Sequence, residues 1–131
     1  MARLFLDTNV FIYFFSGSGV LGQKAKKIFA SIFDRQNEAL TSIITKIELL
    51  SQEAPEKEIH ELLMFLQEIP SLGIIDLGSE IAIEAARIRR NYHYRLPDAV
   101  QLATALHSRA DVFITNDQRL ANFPEIKIEL L

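Results

Sequence analysis

Four acidic side chains, Asp7, Glu48, Asp98 and Asp117, stand where carboxylates could act together. Asp7 closes the apolar run Leu4-Phe5-Leu6, and Asp117 follows the run Val112-Phe113-Ile114-Thr115. Asp98 comes after Pro97 at the head of a helical pattern, and Glu48 stands early in another. Each has an ordinary role when taken singly. Asp7 can cap the Val10 segment or form an Asx-turn. Thr45-Lys46-Ile47-Glu48 fits a capping box. Asp98 favours a helix dipole from its first turn, and Asp117 can cap the turn Gln118-Arg119-Leu120-Ala121. Carboxylates brought to one place, however, repel one another and raise some of their pKa values. A divalent cation reverses that cost. The chain has no cysteine, and His60, His93 and His107 show no ligand spacing, so an all-oxygen set favours Mg²⁺ or Mn²⁺ over zinc.

Such a set needs elements that bring distant positions to one edge. The apolar pattern predicts strands over 3–7, 39–42, 74–77, 111–115 and 126–130. Between them it predicts helices over 20–34, 44–52, 55–69, 79–90 and 97–108, with a helical turn at 118–121. In the first of these helices Ala25, Ile28, Phe29 and Ile32 share one face, and Lys24, Lys26 and Lys27 fall on the solvated one. Pro55 opens the third at a first-turn position, and Ser79 suits the N-cap of the fourth. The apolar run Phe11 to Phe15 is expected mostly in the core. Strands alternating with helices imply an α/β fold in three layers, α/β/α, around a mostly parallel sheet of four to five strands. Ligands then bind beyond the carboxyl ends of the strands. Asp7 and Asp117 lie there by position, and the first turns bearing Glu48 and Asp98 can join them. Asp76 ends a strand too, but on an outlying strand it is a turn residue before Gly78. Asp111 precedes its strand and belongs to the opposite edge.

With 131 residues, a single domain spanning 1–131 is expected. The chain is 49% hydrophobic and 24% charged, with a mean hydropathy of +0.13, which excludes a disordered polymer. That apolar share suggests a surface covered by a partner or by a second copy in a homodimer. A secretory signal pattern is absent, and no apolar run approaches the roughly 20 residues of a membrane span, so a soluble cytoplasmic protein is expected. The net charge of −3 gives no general nucleic-acid coat. Acids gathered round a metal lower that count without describing the surface that meets substrate.

The stretches FLDTNVFI, the isolated Glu48, LPDAVQLATAL and FITNDQRL, in this order, resemble the motifs of the PIN-domain ribonucleases. They are most similar to those of the VapC-type toxins of toxin–antitoxin pairs, and the likeness runs through essentially the whole chain. The resemblance maps the family's acidic positions onto Asp7, Glu48, Asp98 and Asp117. It implies a PIN-like fold and hydrolysis of RNA phosphodiesters assisted by Mg²⁺ or Mn²⁺. Asp7 and Asp117 would ligate the cation directly, Asp98 would complete its shell or act through water, and Glu48 would orient or deprotonate the water. Thr8, Asn9, Thr115 and Asn116 would hydrogen-bond the carboxylates.

The basic run Arg87 to Arg95, with Tyr92 and Tyr94, could grip phosphates and stack bases, Arg89 and Arg90 foremost. An exposed helix end whose basic residues suit the dipole explains it equally well. The resemblance further implies an antitoxin whose peptide blocks the acids. A phosphatase with Asp7 as nucleophile would need a second Asp at the position that Asn9 occupies. A non-catalytic scaffold or binding domain, its acids serving only as caps, is the rival reading from a different class.

Overall fold

The computed structural model describes residues 1–131. Alternation along the first strand sets the layers. In β1 (Ala2–Leu6), Leu4 and Leu6 enter one core and Phe5 the other, as the period of two requires. The chain continues through α1 (Thr8–Ser16), α2 (Gly19–Phe33), β2 (Asn37–Ser42), α3 (Ile43–Leu50), α4 (Glu56–Glu68) and β3 (Leu72–Ile75). It then runs through α5 (Ser79–Tyr92), α6 (Leu96–His107), β4 (Val112–Thr115), a 3₁₀ turn (Gln118–Leu120) and β5 (Lys127–Leu130). The five strands lie in the order β3-β2-β1-β4-β5, and every neighbouring pair is parallel.

The first four helices bury Val10, Phe11, Phe29, Ile32, Leu49 and Leu66 with Leu4, Leu6, Ala39 and Ile114 on one face of the sheet. On the other, α5 and α6 bury Ile81, Ile88, Leu102 and Ala103 with Phe5, Leu40 and Phe113. Phe5 and Phe113 stack at 5.1 Å between ring centroids, tying β1 to β4 from within. The expected three layers are present, and the sheet is parallel throughout.

From β1 the chain steps outward to β2 and β3, then returns past both to β4 and β5. The strand order therefore reverses between β1 and β4, where an open α/β sheet leaves a crevice beyond its carboxyl ends. Asp7 and Asp117 follow those two strands. Asp76 follows the edge strand β3 and is exposed. Asp111 sits at the opposite edge, where its carboxylate accepts from the Arg3 N–H at 2.7 Å.

Several local expectations give way. Ser42, not Thr45, caps α3, its hydroxyl accepting from the Ile44 N–H at 3.0 Å, so no Thr45–Glu48 capping box forms. The cap position of α5 falls on Gly78, which leaves Ser79 as the first helical residue. Pro55 likewise stands at the cap of α4 rather than inside its first turn. The third strand ends at Ile75 because its partner β2 ends opposite, at Ser42. The Phe11 to Phe15 run is not mostly core. Helical period gives one face inward, so Val10 and Phe11 are buried while Ile12 is 48% and Phe15 39% exposed. No helix is long and apolar enough to cross a membrane.

The α1–α2 corner holds the first acidic motif in place. Gly17 ends α1 with φ +64°, a left-handed conformation that favours glycine. A Cβ on Gly22 would stand 2.6 Å from the Gly17 carbonyl carbon, so the two segments meet backbone to backbone. Gly22→Ala should therefore cost about 1–3 kcal/mol, the usual penalty for overpacking. Urea denaturation would read this as a lower midpoint, and an unchanged midpoint would contradict the close approach.

Candidate active site

The Asp7 N–H donates to the Ile114 carbonyl at 3.0 Å, carrying the β1–β4 pairing one residue past the strand. The chain then turns into α1, with Asp7 as its N-cap accepting from the Thr8 N–H at 2.9 Å. The cap reading and the crevice position are thus both realised in one residue. Asp7 is only 8% exposed. Its Oδ1 also accepts from Gln101 Nε2 at 3.1 Å, and its Oδ2 from Thr115 Oγ1 at 2.8 Å and Asn9 Nδ2 at 3.4 Å.

Hydrogen-bond direction in this network is fixed by its carboxylates. Thr8 Oγ1 gives its one proton to Glu48 Oε1 at 2.7 Å, so Thr45 must donate across the 3.0 Å contact to Thr8. Thr45 Oγ1 in turn accepts from Gln101 Nε2 at 2.8 Å. Ser42 Oγ donates to Gln101 Oε1, which assigns the amide's orientation. Gln101, 2% exposed, therefore sends one N–H toward Asp7 and the other along Thr45 and Thr8 to Glu48. Thr115 accepts from the Asp117 N–H at 3.0 Å while donating to Asp7. Asn9 Oδ1 accepts from the Asn116 N–H at 3.0 Å, and Asn116 Nδ2 donates to the Tyr13 hydroxyl at 3.1 Å. Thr8, Asn9 and Thr115 thus touch carboxylates directly. Asn116 reaches them only through Asn9.

Asp7, Glu48, Asp98 and Asp117 all line one open cleft of about 370 Å³, together with Thr8, Asn9, Ile12, Arg95, Pro97 and Gln101. Asp98 sits in the first turn of α6 after Pro97, and Asp117 caps the 3₁₀ turn by accepting from the Arg119 N–H at 3.0 Å. Both carry cationic partners. Arg119 contacts Asp117 Oδ2 and reaches Asp98 Oδ2 at 3.3 Å, while Arg95 Nε lies 3.4 Å from the same Asp98 oxygen. Repulsion among the acids is therefore relieved in part by arginine, a counter-charge that the sequence-based expectation of a divalent cation leaves out. No salt bridge reaches Asp7 or Glu48.

The electrostatics follow. Burial pushes the Asp7 carboxyl above its ordinary value, against the donors Thr115, Gln101 and the Thr8 N–H, and Asp98 adds to the rise. The Arg119 guanidinium holds Asp117 below the usual carboxylate range. An all-oxygen donor set around a buried, unpaired carboxylate fits a hard divalent cation in kind. In the present rotamers no three acidic or histidine side chains are spaced to hold one ion. Arg119 would have to leave Asp98 and Asp117 for a shared site to form.

Of the basic run, Arg95 lines the cleft. Arg87 is held by Glu84 and Glu125, and Tyr92 donates to Glu125 at 2.6 Å. Arg89 donates to the Tyr94 carbonyl at 3.4 Å, and Arg90 is exposed; neither lines the cleft. His60 is exposed, His93 closes α5 with φ 61°, and His107 lies 3.8 Å from Glu80, so all three stand apart from the acids. Sequence reasoning missed Gln101, Thr45 and Arg119. Gln101 was findable, because it follows Asp98 by three residues on one helix face within an otherwise apolar stretch.

The PIN domain family model matches residues 4–126. No curated protein matches the chain significantly. Among solved structures, it is similar to a chain of VapBC2 from Rickettsia felis bound to a DNA fragment from their promoter. The TM-score is 0.74 at 17% identity, covering 98% of each chain. A toxin–antitoxin complex from Klebsiella pneumoniae gives 0.69 at 28% identity over 94% of each chain. VapBC-5 from Mycobacterium tuberculosis gives 0.59 at 19%, covering 100% of this chain and 98% of the other.

Asp7 sets a pH dependence with a definite sign. An acid whose folded pKa is raised binds its proton more tightly when folded, so acidification favours the neutral form. Calorimetric titration with Mn²⁺ should show affinity falling as pH drops from neutral, beginning above the ordinary carboxylate value of about 4. Affinity that stays flat down to pH of about 4 would contradict a buried Asp7 as ligand.

Proposed function

The chain belongs to the PIN domain family, and on that premise we propose that it is a Mg²⁺- or Mn²⁺-dependent endoribonuclease, the cytoplasmic toxin of a VapBC-type toxin–antitoxin pair. The observation that carries the reading is the cleft at the β1–β4 reversal, lined by Asp7, Glu48, Asp98 and Asp117. Asp7 is hydrogen-bonded but has no cationic partner, so its buried charge is only partly compensated, and a bound cation would complete the compensation. The toxin assignment takes its support from the 28% identical Klebsiella pneumoniae toxin–antitoxin complex, matched along 94% of the chain.

Asp7 and Asp117 would hold the cation, with Asp98 completing the set or acting through water. Once bound, the cation would lower the pKa of an attacking water and stabilise the departing 3′ oxygen. Glu48 is exposed at the cleft wall, and Thr8 fixes one of its oxygens at 2.7 Å, leaving the other to orient or deprotonate that water. Gln101 keeps Asp7 and Glu48 in register through donors that cannot reverse. Thr115 and Asn9 fix Asp7 Oδ2 directly, and Asn116 supports Asn9. Arg89 and Arg90 would serve RNA only as peripheral phosphate contacts. Ile12, Phe15 and Ile47, all exposed, would give the antitoxin peptide or a homodimer partner apolar surface.

A non-catalytic PIN-like scaffold that binds RNA or protein is the second reading. The bridging of Asp98 and Asp117 by Arg119 favours it, since this neutralises two of the acids without metal. Thermal unfolding separates the two, because Mn²⁺ raises the midpoint by mass action only where it binds the folded state.

Asp7→Asn removes the central charge with little change of shape. It should lower Mg²⁺-dependent cleavage of single-stranded RNA by at least about a hundredfold, a few kcal/mol of lost charge stabilisation, with circular dichroism unchanged. Cleavage at the wild-type rate would overturn the nuclease reading.

A further inference from the structure

We propose that Arg119 is an exchangeable guanidinium: it neutralises Asp98 and Asp117 while no cation is bound and grips the phosphate of RNA when one is. The proposal rests on the nuclease reading above.

Arg119 takes Asp117 with a two-pronged hold, Nε donating to Oδ1 at 3.0 Å and a terminal nitrogen to Oδ2. The same terminal nitrogen bridges to Asp98 Oδ2 at 3.3 Å, on α6. These are the carboxylate oxygens a shared cation would need, so arginine and cation compete for one set of lone pairs. Asp98 Oδ2 is answered twice, by Arg95 as well, while no salt bridge reaches Asp7. Positive charge is thus crowded on the outer acids and lacking at the inner one. Arg119 holds both oxygens of Asp117, so a cation that joins Asp7 to Asp117 has to displace it.

Displacement costs the fold little. The backbone of Arg119 is pinned on one side by its N–H bond to Asp117 Oδ1 at 3.0 Å. On the other side the neighbouring Leu120 is fully buried. The side chain itself is 53% exposed, so it can swing while its anchor stays. Once freed it remains charged and tethered beside Asp117, which lines the cleft. A planar fork of donors matches a phosphodiester as well as it matches a carboxylate. Neutralising Arg119 should therefore move two affinities in opposite directions. A residue that only braces the turn would move them together or not at all.

The test uses the full chain, with wild type, Arg119→Gln, Arg119→Lys and, as a distal charge control on the solvated face of α2, Lys27→Gln. Mn²⁺ affinity is read by calorimetry, and KM for a single-stranded RNA is read at saturating Mn²⁺. Arg119→Gln should bind Mn²⁺ about fivefold tighter, the scale of a half-exposed ion pair that no longer competes. Its KM should rise by a similar factor, with Lys27→Gln at the wild-type position on both scales. Arg119→Lys keeps the charge but loses the fork and should fall between wild type and Arg119→Gln; falling outside them overturns the shared-fork account. Mn²⁺ affinity unchanged or weakened in Arg119→Gln overturns the exchange. Failure of both wild type and Arg119→Gln to bind Mn²⁺ overturns the nuclease reading of the site, and the proposal with it.

Discussion

A carboxylate buried at the end of a central strand must be answered by donors, by a counter-charge or by both, and Asp7 is answered by donors alone. That requirement organises the polar interior. It explains why Thr115 is polar although it ends a buried strand. It also explains why α6, whose other buried residues are alanine, valine, leucine and a Thr104 bonded to the helix's own backbone, carries a buried glutamine. Ser42, Thr45 and Thr8 then follow, because Gln101 needs a partner for its carbonyl and a second acceptor for its amide. Remove the ionised carboxylates and the proton order of this network loses its direction.

The parallel sheet makes such a gathering possible. Every strand delivers its carboxyl end to one edge, and the reversal between β1 and β4 leaves that edge uncovered where Asp7 and Asp117 emerge. Helices α3 and α6 start from the same edge, which brings Asp98 in from the first turn of α6 and Glu48 from the second turn of α3. The same geometry keeps other acids out: Asp111 enters its strand at the far edge, and Asp76 leaves an outer one.

Much of this was legible in the order of residues. Apolar runs bounded by acids marked strands whose ends matter, and the alternation of Leu4, Phe5 and Leu6 anticipates helices on both faces. Less local features were hidden. Ser42 and Thr45 are equally good caps by type, and only the pairing of Ser42 with Ile75 decides that the strand reaches Ser42 and the helix begins just after it. The run Phe11 to Phe15 is apolar on every side, so its composition could not say that Ile12 and Phe15 would face outward. The ion pairs of Arg119 depend on rotamers of exposed side chains, which carry no periodic signal. Arg95 belongs to a basic run in the sequence, yet only the turn into α6 separates it from Arg90 and aims it at Asp98.

The central claim is that these acids are arranged for a divalent cation rather than for arginine. An anomalous-difference map from a crystal soaked in Mn²⁺ tests it most directly. The account predicts a peak within direct coordination distance of carboxylate oxygens of Asp7 and of Asp98 or Asp117, with Arg119 turned away. A crystal that shows no peak at the cleft, with Arg119 still bridging Asp98 and Asp117, would contradict it.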